Sequence, residues 1–269
     1  MNTEAIKQLR ERTYLSMTVC KKALEQVQDD VEKAVELLQK QNVIKTVDPL
    51  VIPREGVVRA KTVDGNGRIV EVNCQTDFCA KSEVFISLTD TILISGDRNG
   101  LIQNAQNQLG EKIVLKKWNT LDVGQFDSEK NVGLCRYYNH HNGKIAVLIS
   151  AVVEEDVMEN EKVLAFLDDC AIQIAANKPL LVSTDNIAST QEYTAQKAIF
   201  EEQVKDKPEK MREKIVSGKF EAWYREVVLV KQESVVHPKN TIQALQEKLE
   251  KEIGSKIVIA DFIRYELGA

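Results

Sequence analysis

No stretch of this chain approaches the roughly 20 consecutive apolar residues that a helix needs to cross a bilayer. Its start, Met1-Asn2-Thr3-Glu4-Ala5, lacks the charged-then-apolar pattern of a secretory leader, so neither membrane insertion nor export is expected. Histidine is scarce: His140, His141 and His237 are all there is, and none stands at zinc-finger spacing. The five cysteines, Cys20, Cys74, Cys79, Cys135 and Cys170, form no CxxC pair. An odd set among apolar neighbours reads as reduced, buried thiols in a reducing compartment, which leads us to expect a cytoplasmic protein with no metal and no cofactor. Excess positive charge is missing too, since 36 Lys and Arg against 41 Asp and Glu leave a net charge of −5. A general nucleic-acid binder needs a basic face to displace counterions from phosphate, so direct nucleic-acid binding is not expected.

Catalytic patterns are equally thin. Asp64-Gly65-Asn66-Gly67 lacks the Lys-Ser/Thr that would make a phosphate loop and reads as a hairpin turn. There is no nucleophile elbow, and no Ser/His/Asp or Cys/His set assembles, so the chain is not expected to be an enzyme. His140-His141 lies in Asn139-His-His-Asn-Gly143, which reads as a solvent-exposed turn.

What is present divides into unlike parts. Residues 1–45 carry three amphipathic helical patterns. Ile6, Leu9 and Thr13 share a face of the first. Cys20, Ala23, Leu24 and Val27 follow a Ser16 cap, and Val31, Ala34, Val35 and Leu38 follow an Asp30 cap. Such a small bundle suits a docking module. The stretch from Val47 to Pro53 has two prolines and reads as a linker. The period then changes to that of strands. Gly56 to Lys61 and Arg68 to Cys74 form a predicted hairpin, with Val70, Val72 and Cys74 facing one way and Glu71 and Asn73 the other. A helix is predicted from about Ala80 to Ile94.

The chain repeats itself. Gly56-Val-Val-Arg59 is echoed by Gly133-Leu-Cys-Arg136, and Gly67-Arg-Ile69 by Gly143-Lys-Ile145. Gly110-Glu-Lys-Ile-Val-Leu is echoed by Gly254-Ser-Lys-Ile-Val-Ile. Two copies of a strand–turn–strand–helix–strand unit account for this, packed together as an α+β core because each is too small to cover both faces of its sheet. The second copy is longer: Gly143 to Gly254 is 111 residues against 43 from Gly67 to Gly110, an excess of 68. Part of the excess is a helix over about Glu155–Asn177, ended by Lys178-Pro179. Another part is a charged, helix-rich stretch, Ile187–Arg225, reversing at Lys205-Asp206-Lys207-Pro208. Tyr193, Phe200 and Val204 share one of its faces, and Met211, Ile215 and Trp223 roughly share another. It reads either as a solvated surface hairpin or as an oligomerisation arm.

Thr76-Asp77-Phe78 stands between a predicted strand and helix. Thr76 or Asp77 can cap the helix, and Phe78 is then either a core residue or an aromatic anchor displayed at an interface.

The run Glu71-Val-Asn-Cys-Gln-Thr-Asp-Phe-Cys-Ala-Lys81 closely resembles the E-V-N-C-Q-T-D-F-V-A-K segment of the elongation factor Ts family. Leu9-Arg-Glu-Arg-Thr13 with Cys20-Lys-Lys-Ala-Leu24, Asn177-Lys-Pro179, Lys207-Pro-Glu-Lys-Met211, Ser217-Gly-Lys219 and the segment Ile257 to Gly268 resemble further signatures of that family, in the same order. The resemblance implies an α+β fold in four parts. These are a ubiquitin-associated-like three-helix module at 1–46, a core subdomain at 54–130, a second at 131–180 with 226–269, and a helical, dimerisation-type hairpin at 181–225. It implies release of GDP from elongation factor Tu, bound in both its GDP-loaded and nucleotide-free states, and a homodimer through the hairpin. Thr76, Asp77, Phe78 and Cys79 correspond to the loop that disturbs the partner's Mg²⁺ and phosphate site. Arg10, Met17, Leu109, Gly110 and His141 correspond to other partner contacts. The family's T-G-A-G-M-M-D-C is replaced here by Thr13-Tyr-Leu-Ser-Met-Thr-Val-Cys20, its usual valine by Cys79, and the C-terminal helix of some members has no counterpart after Gly268-Ala269. The alternative reading is a non-enzymatic RNA-binding or scaffold protein of the translation machinery.

Overall fold

Side-chain caps start the three leading helices. In the computed structural model, which describes residues 3–41, 43, 50–123, 130–185 and 187–269, these are α1 (Thr3–Thr13), α2 (Met17–Gln26) and α3 (Val31–Lys40). Ser16 accepts from the Val19 amide and Asp30 from the Lys33 amide, as the sequence predicts. Leu9, Cys20, Leu24, Ala34 and Leu38 meet at the centre of the bundle. The predicted linker falls partly outside the described residues, at Val47 to Pro49; Val51 to Arg54 have no regular structure.

Next come β1 (Glu55–Val63) and β2 (Asn66–Cys74), joined by Asp64 and Gly65 at φ 51° and 80°. Two left-handed residues are what a tight antiparallel hairpin requires. Then follow α4 (Asp77–Lys81), α5 (Glu83–Ile94), α6 (Arg98–Leu109) and β3 (Val114–Leu121). The expected single helix over Ala80–Ile94 is therefore two. Ser82 leaves the helical region at ψ 143°, and its hydroxyl caps α5 by accepting from the Phe85 amide. The second copy contains β4 (Asn131–Asn139), β5 (Ile145–Glu154), α7 (Glu161–Asn177), α8 (Gln191–Gln203), α9 (Glu209–Val227), α10 (Ile242–Ile253) and β6 (Ile257–Glu266). The helix expected from Glu155 begins instead at Glu161, where Asn160 caps it.

The strands form two antiparallel sheets, ordered β1-β2-β3 and β4-β5-β6. The repeat seen in the sequence recurs contact by contact. Arg59 reaches Asp90 of α5 at 2.9 Å, and Arg136 reaches Asp168 of α7 at 2.6 Å. The last strand of each sheet bulges, Lys116 of β3 opposite Glu71/Val72 and Ala260 of β6 opposite Ser150/Ala151. Gly110 ends α6 and Gly254 ends α10, both at φ 73°. The side chain four residues before each glycine accepts the amide three residues after it: Gln106 from Ile113 and Glu250 from Ile257. Each unit thus packs two helices on its sheet, α5 and α6 or α7 and α10, where the sequence suggested one.

The layers run helix, sheet, sheet, helix. Val70, Val72 and Cys74 pack under α5 and α6, while Val147, Ile149 and Ala151 pack under α7. The opposite faces meet each other through Val58, Ala60, Ile69, Cys135, Ala146 and Leu148. Burying one such aliphatic side chain contributes about 1.5–3 kcal/mol. Gly67 permits the close approach, since a Cβ there would lie 2.7 Å from Cys135 Sγ and 2.9 Å from Leu148. All five cysteines are buried and free, as expected.

Helices α8 and α9 lie antiparallel. Tyr193 and Phe200 both pack on Phe220, with ring centroids 4.9 and 5.1 Å apart, and the Lys219 ammonium donates to Gln203. The centre of this hairpin is thus Phe220, a residue the sequence reading passed over; Met211, assigned there to a shared apolar face, is exposed. None of the apolar clusters that cover the sheets contains a described residue of α8 or α9. Where the chain leaves and re-enters, the Leu180 amide donates to Val227 and the Leu229 amide to Leu181. Replacing residues 191–225 with a short Gly/Ser linker is therefore expected to leave a cooperative thermal transition within a few degrees of that of the full chain. Loss of the cooperative transition in calorimetry would show that the hairpin belongs to the core.

Candidate functional site

The turn after β2 sets one hydrophobic ring against solvent. Thr76 is the N-cap of α4, its hydroxyl accepting from the Cys79 amide at 3.2 Å. Within the turn that follows, Cys79 and Ala80 point inward and are buried, whereas Phe78 points away and is 82% exposed. An aromatic so displayed on a short capped helix removes little apolar area from water inside this chain. Asp77, also exposed, accepts from Lys81 at 2.8 Å, and that bond holds its carboxyl below the usual carboxylate range. The neighbouring Cys74 sulfur and burial together push the Cys79 thiol upward, so it is protonated at neutral pH.

The turn is held from outside its own helix. Glu111, immediately after the α6 terminus at Leu109-Gly110, accepts from the Gln75 amide at 3.1 Å, the Thr76 amide at 3.0 Å and the Thr76 hydroxyl at 2.6 Å. Charge-assisted bonds of this kind are about twice as strong as neutral ones. Leu109-Gly110 thereby lies next to the residue that grips the Thr76 turn. The sequence analysis missed Glu111. A signal existed: it aligns with Ser255 in the second copy, so the repeat differs at the one position that grips the turn.

Two further groups adjoin. Beyond α4, a cleft of about 300 Å³ is lined by Arg59, Ala80, Lys81, His140, His141 and Asn142, so the end of α4 and His141 face one opening. His141 is exposed, and His140 meets the Tyr138 hydroxyl at 2.9 Å. On the opposite flank, α1 lies on α6, where Asn107 donates to the Thr13 carbonyl at 2.8 Å. Arg10 and Met17 line a cleft of about 530 Å³ between these helices, and Met17 is 58% exposed. The α1–α2 turn that lacks the family's glycines is formed nonetheless, with Tyr14 at φ 54°. Its ring lies over Gly100 of α6, where a Cβ would come within 2.9 Å of it. The residues singled out in the sequence thus lie along one line of contacts: α1 and α2, α6, the Thr76 turn, α4 and the His141 loop. No catalytic constellation appears among the described residues of these clefts.

Comparison with known proteins supplies the context. A protein-family model described as Elongation factor TS matches residues 94–269. Elongation factor Ts of Chloroherpeton thalassium is 35% identical over 299 residues, covering 100% of this chain and 98% of that protein. Elongation factor Ts of Clostridium kluyveri is 32% identical, covering 100% and 93%, and that of Rickettsia felis 31%, covering 100% and 92%.

Burial separates the stability roles of neighbouring residues in the turn. Phe78→Ala is expected to leave the melting temperature nearly unchanged, whereas truncating a core phenylalanine costs about 3–5 kcal/mol. Thr76→Ala removes the cap and the bond to Glu111 and is expected to cost about 1–2 kcal/mol. Thermal denaturation of both variants checks the pair; a strongly destabilised Phe78→Ala would place that ring in the core.

Proposed function

The chain belongs to the elongation factor Ts family, and on that premise we propose that it is a guanine-nucleotide exchange factor for elongation factor Tu in translation elongation. The observation that carries the reading is Phe78: an exposed aromatic on a turn pinned by Glu111 and Thr76. Exchange needs a group that pushes without yielding. A ring on a mobile loop would lose its energy to ordering, whereas this turn is already ordered before contact.

In this reading α1–α3 act as a ubiquitin-associated-like docking module, and the two sheet units act as two core subdomains presenting Leu109-Gly110 and His141. Thr76, Asp77 and Phe78 enter the region that orders the partner's Mg²⁺ and phosphate loop, while Cys79, which the resemblance grouped with them, is buried behind the turn and anchors it. The ion is the largest local positive charge holding a bound diphosphate, so disturbing its ligands weakens GDP more than any surface contact could. Coupling is reciprocal: the factor by which this chain lowers GDP affinity is the factor by which GDP lowers its own affinity for the partner. Each ~1.4 kcal/mol removed from the bound state, and not from the release barrier, speeds release about tenfold. Arg10 and Met17 supply contact area on the first module. The hairpin, with Ile199 and Met211 exposed, mediates self-association. The work is done by protein contact, without a catalytic residue of the chain's own.

The test is release of labelled GDP from purified elongation factor Tu. Substoichiometric chain is expected to accelerate release. Phe78→Ala is expected to reduce the stimulated rate on the order of tenfold, with a smaller change in affinity for the nucleotide-free partner, because the remaining contacts still hold it. Unchanged off-rates with excess chain, together with no complex on gel filtration, would overturn the reading.

A further inference from the structure

Cys74 ends β2, Cys79 lies in the first turn of α4, and Glu111 opens the approach to β3. No two are sequence neighbours; Cys74 and Cys79 stand as C-x4-C, within the range of zinc-ligand pairs, but with no CxxC pair and no histidines at finger spacing the sequence reading expected no metal. The fold nevertheless brings Cys74 Sγ, Cys79 Sγ and a Glu111 carboxylate oxygen to within 4.8 Å of one another. Both thiols are free and buried, while Glu111 is partly exposed, so the group has a wet side and a dry side. The carboxylate is also oriented beforehand by its bonds from the Gln75 and Thr76 amides and the Thr76 hydroxyl, the kind of outer support that metal-ligating carboxylates have.

We propose that Cys74, Cys79 and Glu111 form a binding site for a thiophilic divalent cation of the zinc class. Two sulfurs and one carboxylate match the ligand preferences of such an ion. Calcium and magnesium are disfavoured, because they take six or more oxygens and the group offers one carboxylate. Bond lengths of about 2.3 Å to sulfur and about 2.0–2.2 Å to oxygen in a tetrahedron set the donors roughly 3.5–3.8 Å apart. Side-chain movements of about an ångström reach that spacing. On loading, the two thiol protons leave to solvent and the metal takes their place. Water on the exposed Thr76 side takes the fourth position, so the site is open and not closed like a structural zinc. The ion would tie together the end of β2, the first turn of α4 and the connection from α6 to β3, at the base of the turn that carries Phe78. This assignment does not depend on the exchange reading, and either can fail alone.

Reduced, chelator-treated full chain titrated with cobalt(II) is the direct probe. The expected result is saturation at one ion per chain, with a near-ultraviolet thiolate-to-cobalt charge-transfer band that zinc(II) displaces. Zinc is also expected to raise the melting temperature of the chain, since it binds the folded state preferentially. Cys79→Val, apolar and of similar size, is expected to abolish the band, and Glu111→Gln to weaken binding at least about tenfold. Cys20→Ala, in the separate helical bundle, is expected to leave the titration unchanged. If Cys74→Ser fails to fold, Cys79→Val and Glu111→Gln still decide the matter. Absence of the band at saturating cobalt, its persistence in Cys79→Val, or its equal loss in Cys20→Ala would each overturn the site.

Discussion

With no side chain at Gly67, β2 can press against Cys135 and Leu148 across the gap between the sheets. On that contact the rest of the molecule depends. Each sheet has three strands and is apolar on both faces, so the face its helices leave uncovered has to be buried against the other sheet. The consequence is visible in β5, where Ile145 to Val153 is apolar almost throughout: Ala146 and Leu148 face the other sheet while Val147, Ile149 and Ala151 face α7. The join is also polar at its rim. The Asn139 amide both donates to and accepts from the Ala60 backbone, at 2.9 and 2.7 Å, and the Val58 amide donates to Gly143 at 2.8 Å. The open edge of β1 is thereby satisfied by groups of the second sheet unit.

Once the sheets are locked, the candidate site has a fixed base. Cys74 and Cys79 are anchored inward beneath α5, so the turn between them has only one direction in which to place Phe78. Glu111 closes the turn from the α6 side, and the α6 helix in turn carries the bundle of α1–α3 through Asn107 and the close fit of Tyr14 on Gly100. Groups from distant parts of the chain are therefore tied to the same small framework. A displayed aromatic ring is ordinarily a liability for solubility. Its retention on a rigid turn agrees with a use in partner contact.

Much of the fold was legible because its signals are local. Ser16 and Asp30 precede the apolar periods they cap, and each bonds an amide three residues on. Asp64-Gly65 dictates a tight hairpin, and the glycines at 110 and 254 mark the same helix end twice. The motif around Phe78 pointed to a family that full-length comparison supports. Less legible were the break at Ser82, the second helix of each unit and the role of Phe220. Ser82 can sit inside a helix as well as cap one, and only the angle forced by packing α4 and α5 on the sheet selects the cap. Phe220 lay off the stripe read from Met211 and Trp223, and it became central only when α8 supplied Tyr193 and Phe200.

By itself the sequence determined the strands, most helix starts, the duplication and the place of the helix-rich excess in the second copy, since these follow from periodicity, turn chemistry and spacing along the chain. It left Phe78 between core and surface, and it had no means of joining Glu111 to Thr76 or to Cys74 and Cys79. Those partners are 32 to 37 residues apart along the chain, with Glu111 and Thr76 separated by 35. Only the tertiary structure decided them, because a residue's exposure and its long-range partners depend on which faces of the sheets the helices cover.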